Sequence, residues 1–102
     1  MKRSLRSLLM LIFSLSALNM GAQVVEGVIY DKSGQPLPGA SVVVVGQSGV
    51  GTAADFDGKY TLSGFKPGDI TLEFSFIGFD SKKIEVSIAA NEKKTVNAVL
   101  SE

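Results

Sequence analysis

The sequence predicts an all-β domain, a seven-stranded sandwich of two facing sheets preceded by an exported leader. Three observations predict it. Beyond residue 22, apolar side chains recur at every second position in short runs rich in Val, Ile, Thr and Phe, a period that suits a pleated strand and not a helix. Gly, Pro, Asp and Asn interrupt these runs at the spacing of an all-β sandwich. No segment carries a helical apolar stripe, and no heptad, internal repeat or low-complexity tract is present.

The leader comes first. Lys2, Arg3 and Arg6 precede the apolar run Leu8 to Leu18, and Asn19, Gly21 and Ala22 follow it. That is the order of a signal peptide covering residues 1–22, cleaved between Ala22 and Gln23. Met20 at the −3 position is larger than the usual small residue. An apolar stretch of roughly ten residues is well short of the ~20 that cross a bilayer as a helix. The chain has no cysteine, so neither a lipid-modified cysteine nor a disulfide is available, and a bacterial periplasm or outer surface fits better than a disulfide-stapled secreted module.

Residues 23–102 are expected to form one domain with one core. Seven lysines stand against ten carboxylates there, a net of −3, and all the arginines lie in the leader. A basic face for nucleic acid is therefore not expected.

Val25, Gly27 and Ile29 share one side of the first strand, and Glu26, Val28 and Tyr30 the other. Asp31-Lys32-Ser33-Gly34 turns the chain, with Gly34 supplying a positive φ. Residues 35–39 form an extended connector. Pro36 and Pro38 lack backbone donors, so the connector can border a sheet but not enter a ladder, and Leu37 is free to point inward. Gly39 ends it.

Ser41 to Val45 is almost wholly apolar, as in a strand with both faces at least partly covered. The glycines at 46, 49 and 51 close it in a loop. Strands over 50–54 and 59–63 flank the turn Asp55-Phe56-Asp57-Gly58, and Tyr60 and Leu62 face inward. Pro67 and Gly68 carry the central positions of a type II turn. Ile70, Leu72, Phe74 and Phe76 then line one side of the clearest strand, predicted as the core floor, and Gly78 turns the chain after it. Ile84, Val86 and Ile88 repeat the alternation, residues 89–93 form a hairpin loop, and Val96, Ala98 and Leu100 make the seventh strand.

No histidine or cysteine is available as general base, metal ligand or thiol nucleophile. Asp55 and Asp57 are the only close carboxylate pair on a loop, and beside Gly58 they read as turn chemistry rather than as a glycosidase pair. As a calcium loop the segment fails where Lys59 and Tyr60 stand in place of further oxygen ligands. Residues 46–51, Gly-Gln-Ser-Gly-Val-Gly, lack the Lys-Ser/Thr ending and the following helix of a phosphate cradle. Phe56, Phe65 and Phe79 are expected to cap the core edges. If exposed, they would offer stacking platforms for carbohydrate, with Gln47 and Asn91 as nearby amides.

The ordered runs Gly27 to Asp31, Gly34 and Pro36 to Ala40, Val42 to Val45, Gly51-Thr52, Asp55 to Tyr60 and Phe74 to Phe79 together resemble a carboxypeptidase-regulatory-like domain. The resemblance extends from Gln23 to Leu100. It is similar to the small domain that leads the SusC/RagA class of TonB-dependent outer-membrane receptors in Bacteroidota. The resemblance implies a transthyretin-like (prealbumin-like) Greek-key sandwich with no catalysis and no cofactor. It also implies a place on the periplasmic side of an outer-membrane nutrient importer, with a periplasmic or outer-membrane protein of that system as partner. The matched residues, Asp31, Gly34, Pro36, Pro38, Gly39, Asp57, Gly58, Pro67, Gly68 and Gly78 among them, are implied to be structural. Such receptors continue into a plug and barrel, so a truncated receptor and a stand-alone exported domain both remain open, and a secreted module for carbohydrate or a cell-surface protein is the alternative.

Overall fold

The computed structural model describes residues 22–102, so the expected signal peptide lies outside the described residues apart from Ala22. Among the described residues there are eight strands and no helix. They are β1 (Val24–Asp31), β2 (Ser41–Val44), β3 (Gly51–Ala53), β4 (Lys59–Leu62), β5 (Gly68–Ser75), β6 (Lys82–Ile88), β7 (Lys93–Thr95) and β8 (Ala98–Leu100). One sheet has β1 at its centre, with β4 antiparallel on one side and β7 and β8 parallel on the other. The second is antiparallel throughout, in the order β3-β2-β5-β6.

The core lies between these layers. Val25, Ile29, Tyr60, Leu62, Ala98 and Leu100 project from the first sheet, and Val42, Val44, Ile70, Leu72, Phe74 and Ile88 from the second. Each such large aliphatic or aromatic side chain contributes roughly 1.5–3 kcal/mol relative to leaving it in water. Tyr60 meets Phe74 edge to face across the layers, ring centroids 5.6 Å apart, the arrangement that aligns a ring edge with the electron-rich face of its partner. Leu37 is buried from the connector, whose Leu37 N–H donates to the Ile29 carbonyl at 2.9 Å while Pro36 bridges Tyr30.

Four expectations need correction. The seventh predicted strand is two, β7 and β8, separated by Val96 and Asn97. Both segments pair with β1 in one register, Glu26 opposite Thr95 and Ile29 opposite Ala98, so the chain is reoriented here without a slip. The Val28 N–H finds the Asn97 Oδ1 at 2.9 Å instead of a main-chain carbonyl. The expected loop over 89–93 accordingly ends sooner, with β7 starting at Lys93.

β2 is covered fully on one face and, as expected, partly on the other. Val42 and Val44 are buried, while Val43 is 40% and Val45 45% exposed. An apolar run reports that both sides are greasy, not that a layer covers each. Phe76 does not complete the core floor, being half-buried against Phe79 just beyond β5. Gly68, expected inside a turn, already opens β5 with φ 123°.

Candidate interaction surfaces

Two turns of the same chemistry shape one end of the sandwich. In the first, Asp31 Oδ1 accepts the Ser33 and Gln35 N–H groups at 2.9 and 3.0 Å and the Ser33 hydroxyl at 2.6 Å. The second repeats it: Asp55 Oδ1 accepts the Asp57 and Lys59 N–H groups, both at 2.9 Å. In each, the glycine at the fourth position donates to the aspartate carbonyl and lies at positive φ, 87° for Gly34 and 76° for Gly58. An aspartate mimics a main-chain turn in this way because its short carboxylate reaches amides two and four residues on. The Ser33 hydroxyl, followed by the Gln35 amide, lowers the Asp31 pKa by favouring the charged carboxylate.

Gly58 has a further reason to lack a side chain. A Cβ there would stand 2.8 Å from both the Ile29 carbonyl oxygen and Pro36 Cβ, so the second turn packs directly on the connector. The result is a braced loop with Phe56 at its tip, 92% exposed.

The aromatic residues thus divide three ways. Phe65 is buried and Phe79 is half-buried against Phe76, whereas Phe56 does not cap the core edge as expected. The Asp55 carboxylate beside it anchors the turn, while Leu37 and Ala54 are buried in the core without it. Ile77, which the sequence reading did not single out, is 95% exposed at the tip of the turn closed by Phe79 N–H on the Phe76 carbonyl. Its signal in the sequence is an apolar residue directly before Gly78, at φ 86°, where a turn must place it outward.

Both tips lie at the same end. β1 ends at Asp31 and β8 at Leu100, β4 starts at Lys59, β5 ends at Ser75 and β6 starts at Lys82. The Asp80 N–H donates to the Ser101 carbonyl at 2.7 Å, tying the Ile77 turn to the last strand. Gly39 lies here too, its N–H on the Ala54 carbonyl. Gln23 is at the opposite end, its amide donating to the Phe65 carbonyl, next to the loop where Gln47 Oε1 accepts the Lys66 N–H and to Asn91 at φ 67°.

The arrangement offers contact surfaces and little chemistry. Asp55 spends one carboxylate oxygen on its own turn, and no three acidic groups gather in a metal-binding cluster among the described residues. An open hollow of about 690 Å³ lies over the outer face of β2, lined by Val43, Val45, Gln47, Val50, Gly51 and Glu73. It holds one carboxylate, Glu73, and one hydroxyl, Ser48, with no histidine in the chain to activate that hydroxyl. Among the described residues no helix is long and apolar enough to cross a membrane.

Residues 25–102 match the family described as CarboxypepD_reg-like domain. A TonB-dependent receptor of Formosa agariphila is 37% identical over 81 residues, covering 78% of this chain and 8% of that protein. TonB-dependent receptor SusC of Bacteroides thetaiotaomicron is 43% identical over 67 residues, 66% of this chain and 6% of that protein. The chain therefore spans less than a tenth of the length of these relatives. A cohesin–X-dockerin complex from Acetivibrio cellulolyticus aligns with a TM-score of 0.62 at 16% identity, over 76% of this chain and 56% of that one. The 3-chlorocatechol 1,2-dioxygenase of Rhodococcus opacus aligns at 0.60 and 10% identity, over 79% and 60%. At those identities the likeness is one of fold.

Proposed function

The chain belongs to the CarboxypepD_reg-like domain family, and on that premise we propose that it is a noncatalytic accessory domain of a TonB-dependent outer-membrane nutrient receptor system. It works on the periplasmic side, as a transthyretin-like Greek-key sandwich that engages a periplasmic or outer-membrane protein of the system. The observation that carries this reading is the match to TonB-dependent receptors over most of the folded domain. The leader at residues 1–22 supports export, and the absence of histidine and cysteine supports a role without catalysis.

Deletion of residues 23–102 from the receptor system is expected to impair nutrient uptake while the receptor still assembles in the outer membrane. Undiminished uptake by a normally assembled receptor would overturn the reading.

The exposed Phe56 ring favours one alternative, a secreted module that stacks on carbohydrate. Glycan-array binding that is lost in Phe56→Ala would promote that alternative over the receptor role.

A further inference from the structure

The β6 edge presents a charge pattern complementary to itself. β6 is the last strand of its sheet, and its seven residues bond β5 on one side only. Ile84 and Val86 point toward the core yet are only half-buried, because the facing sheet leaves this margin partly uncovered. On the solvent face Lys83 and Glu85 are exposed one pleat apart, and Lys83 Nζ stands 4.0 Å from Glu73 Oε2 of β5. Lys94 Nζ donates to the Ser87 carbonyl at 2.7 Å, which leaves Lys82 to Val86 as the stretch open to a new strand.

We propose that this edge pairs antiparallel with the β6 edge of a second copy of the chain, in the register that sets Ile84 opposite Ile84. A two-fold axis perpendicular to the sheet keeps inward side chains inward only when opposite residue numbers sum to an even value, since the strand period is two. Centring on Lys83 sets lysine against lysine, and centring on Glu85 sets glutamate against glutamate. Centring on Ile84 sets Lys83 opposite Glu85 twice. Each Lys83 then lies between Glu73 of its own copy and Glu85 of the other, and opposite charges across strands are favourable where like charges are not.

On the inner face the same register brings the two Ile84 side chains together and lays the Lys82 stem along Val86, covering apolar surface that one copy leaves half-open. Edge lysines deter pairing with a neutral strand. Here the glutamate one pleat away makes that deterrent selective for a strand of the same pattern. Five paired residues bury far less than the roughly 1,200 Å² of a stable interface, so the association is weak and sensitive to salt.

Sedimentation equilibrium of residues 23–102 at low ionic strength tests this. The weight-average mass is expected to climb from one copy toward two as concentration rises, with the β6 amides gaining hydrogen-exchange protection over the same range. Lys83→Glu and Glu85→Lys each place like charges opposite, and each is expected to abolish the rise while the strand-type circular dichroism stays intact. Combining the two substitutions reverses the pattern without losing self-complementarity, and is expected to restore association. A single species of monomer mass at every concentration would overturn the proposal, as would association insensitive to either reversal or unrestored by the double exchange. A partner's extended segment on this edge, in place of a second copy, would leave the purified protein monomeric and so overturn it too.

Discussion

The Tyr60 hydroxyl donates to the Val96 carbonyl at 2.5 Å, reaching across β1 at Gly27. Gly27 is the β1 residue paired with Tyr60, and a Cβ there would fall 2.0 Å from that same carbonyl oxygen. The three residues form one device. The Val96 carbonyl tips into the space that Gly27 leaves empty, Tyr60 satisfies it in the interior, and the Val96 N–H still reaches the Glu26 carbonyl at 2.8 Å. That rotation separates β7 from β8 while both stay in register with β1.

Tyr60→Phe keeps the ring against Phe74 but leaves the Val96 carbonyl without its hydroxyl donor. Unfolding in urea is expected to show a loss of about 1–3 kcal/mol, the cost of leaving a buried acceptor unsatisfied. Burial also pushes the Tyr60 pKa well above its ordinary value of 10.0. The unfolded chain ionises this phenol near pH 10 and the folded one does not, so above pH 10 the unfolded state binds fewer protons and stability falls as pH rises. That contribution is fully present below pH 10. The alkaline loss is expected to be shallower in Tyr60→Phe, measured by urea unfolding across pH 9–11.

Gly27→Ala forces the Val96 carbonyl out of its place. A loss of about 2–3 kcal/mol is expected, the upper part of the range for overpacking a well-filled site. Chemical denaturation measures it, and a loss below about 0.5 kcal/mol would show that the Val96–Asn97 segment yields freely.

Asp31 should betray its turn by titration. Its lowered pKa comes first from the Ser33 hydroxyl, so Ser33→Ala is expected to raise it toward 3.8 in a carboxyl-carbon NMR titration. With the folded pKa depressed, the stabilising contribution is present above pH 3.8 and lost as pH falls through the folded value. The variant is therefore expected to show a smaller acid-side loss from this group. An unmoved Asp31 titration would assign the shift to the main-chain donors instead.

Phe56 and Phe74 are the same side chain in opposite settings. Phe74→Ala empties the centre of the core and is expected to cost about 3–5 kcal/mol. Phe56→Ala removes a ring that is almost wholly in water and is expected to change stability by less than about 0.5 kcal/mol. If Phe56 anchors a partner, that second variant loses binding while keeping its melting temperature.

How far the fold is readable from the sequence depends on what each residue reports. β5 is legible because Ile70, Leu72 and Phe74 alternate strictly with Thr71 and Glu73, and that alternation has no helical solution. The division of the last strand is hidden, since Val96 and Asn97 keep the alternation while one carbonyl rotates. Only Gly27, a glycine inside a strand and distant in sequence, hints at the close approach. Composition likewise cannot tell that Val43 is the more exposed and Val42 the buried one, because both are valine and only the side of β2 that meets the other sheet separates them. Among candidate contact residues, the Asp55 turn is readable from its Asp and Gly, whereas that turn signature carries no sign of which way the Phe56 ring points.

The parallel pairing of β1 with β7 and β8 has a mechanical consequence. The chain enters β1 at one pole of the sandwich and leaves β8 at the other, so tension along the polypeptide drags these neighbouring strands past each other lengthwise. Their hydrogen bonds then carry load together instead of opening singly like a zipper, and single-molecule pulling through residues 23 and 101 should meet a high, abrupt rupture force. A low, gradual extension would show that the polar joint at Asn97 yields first.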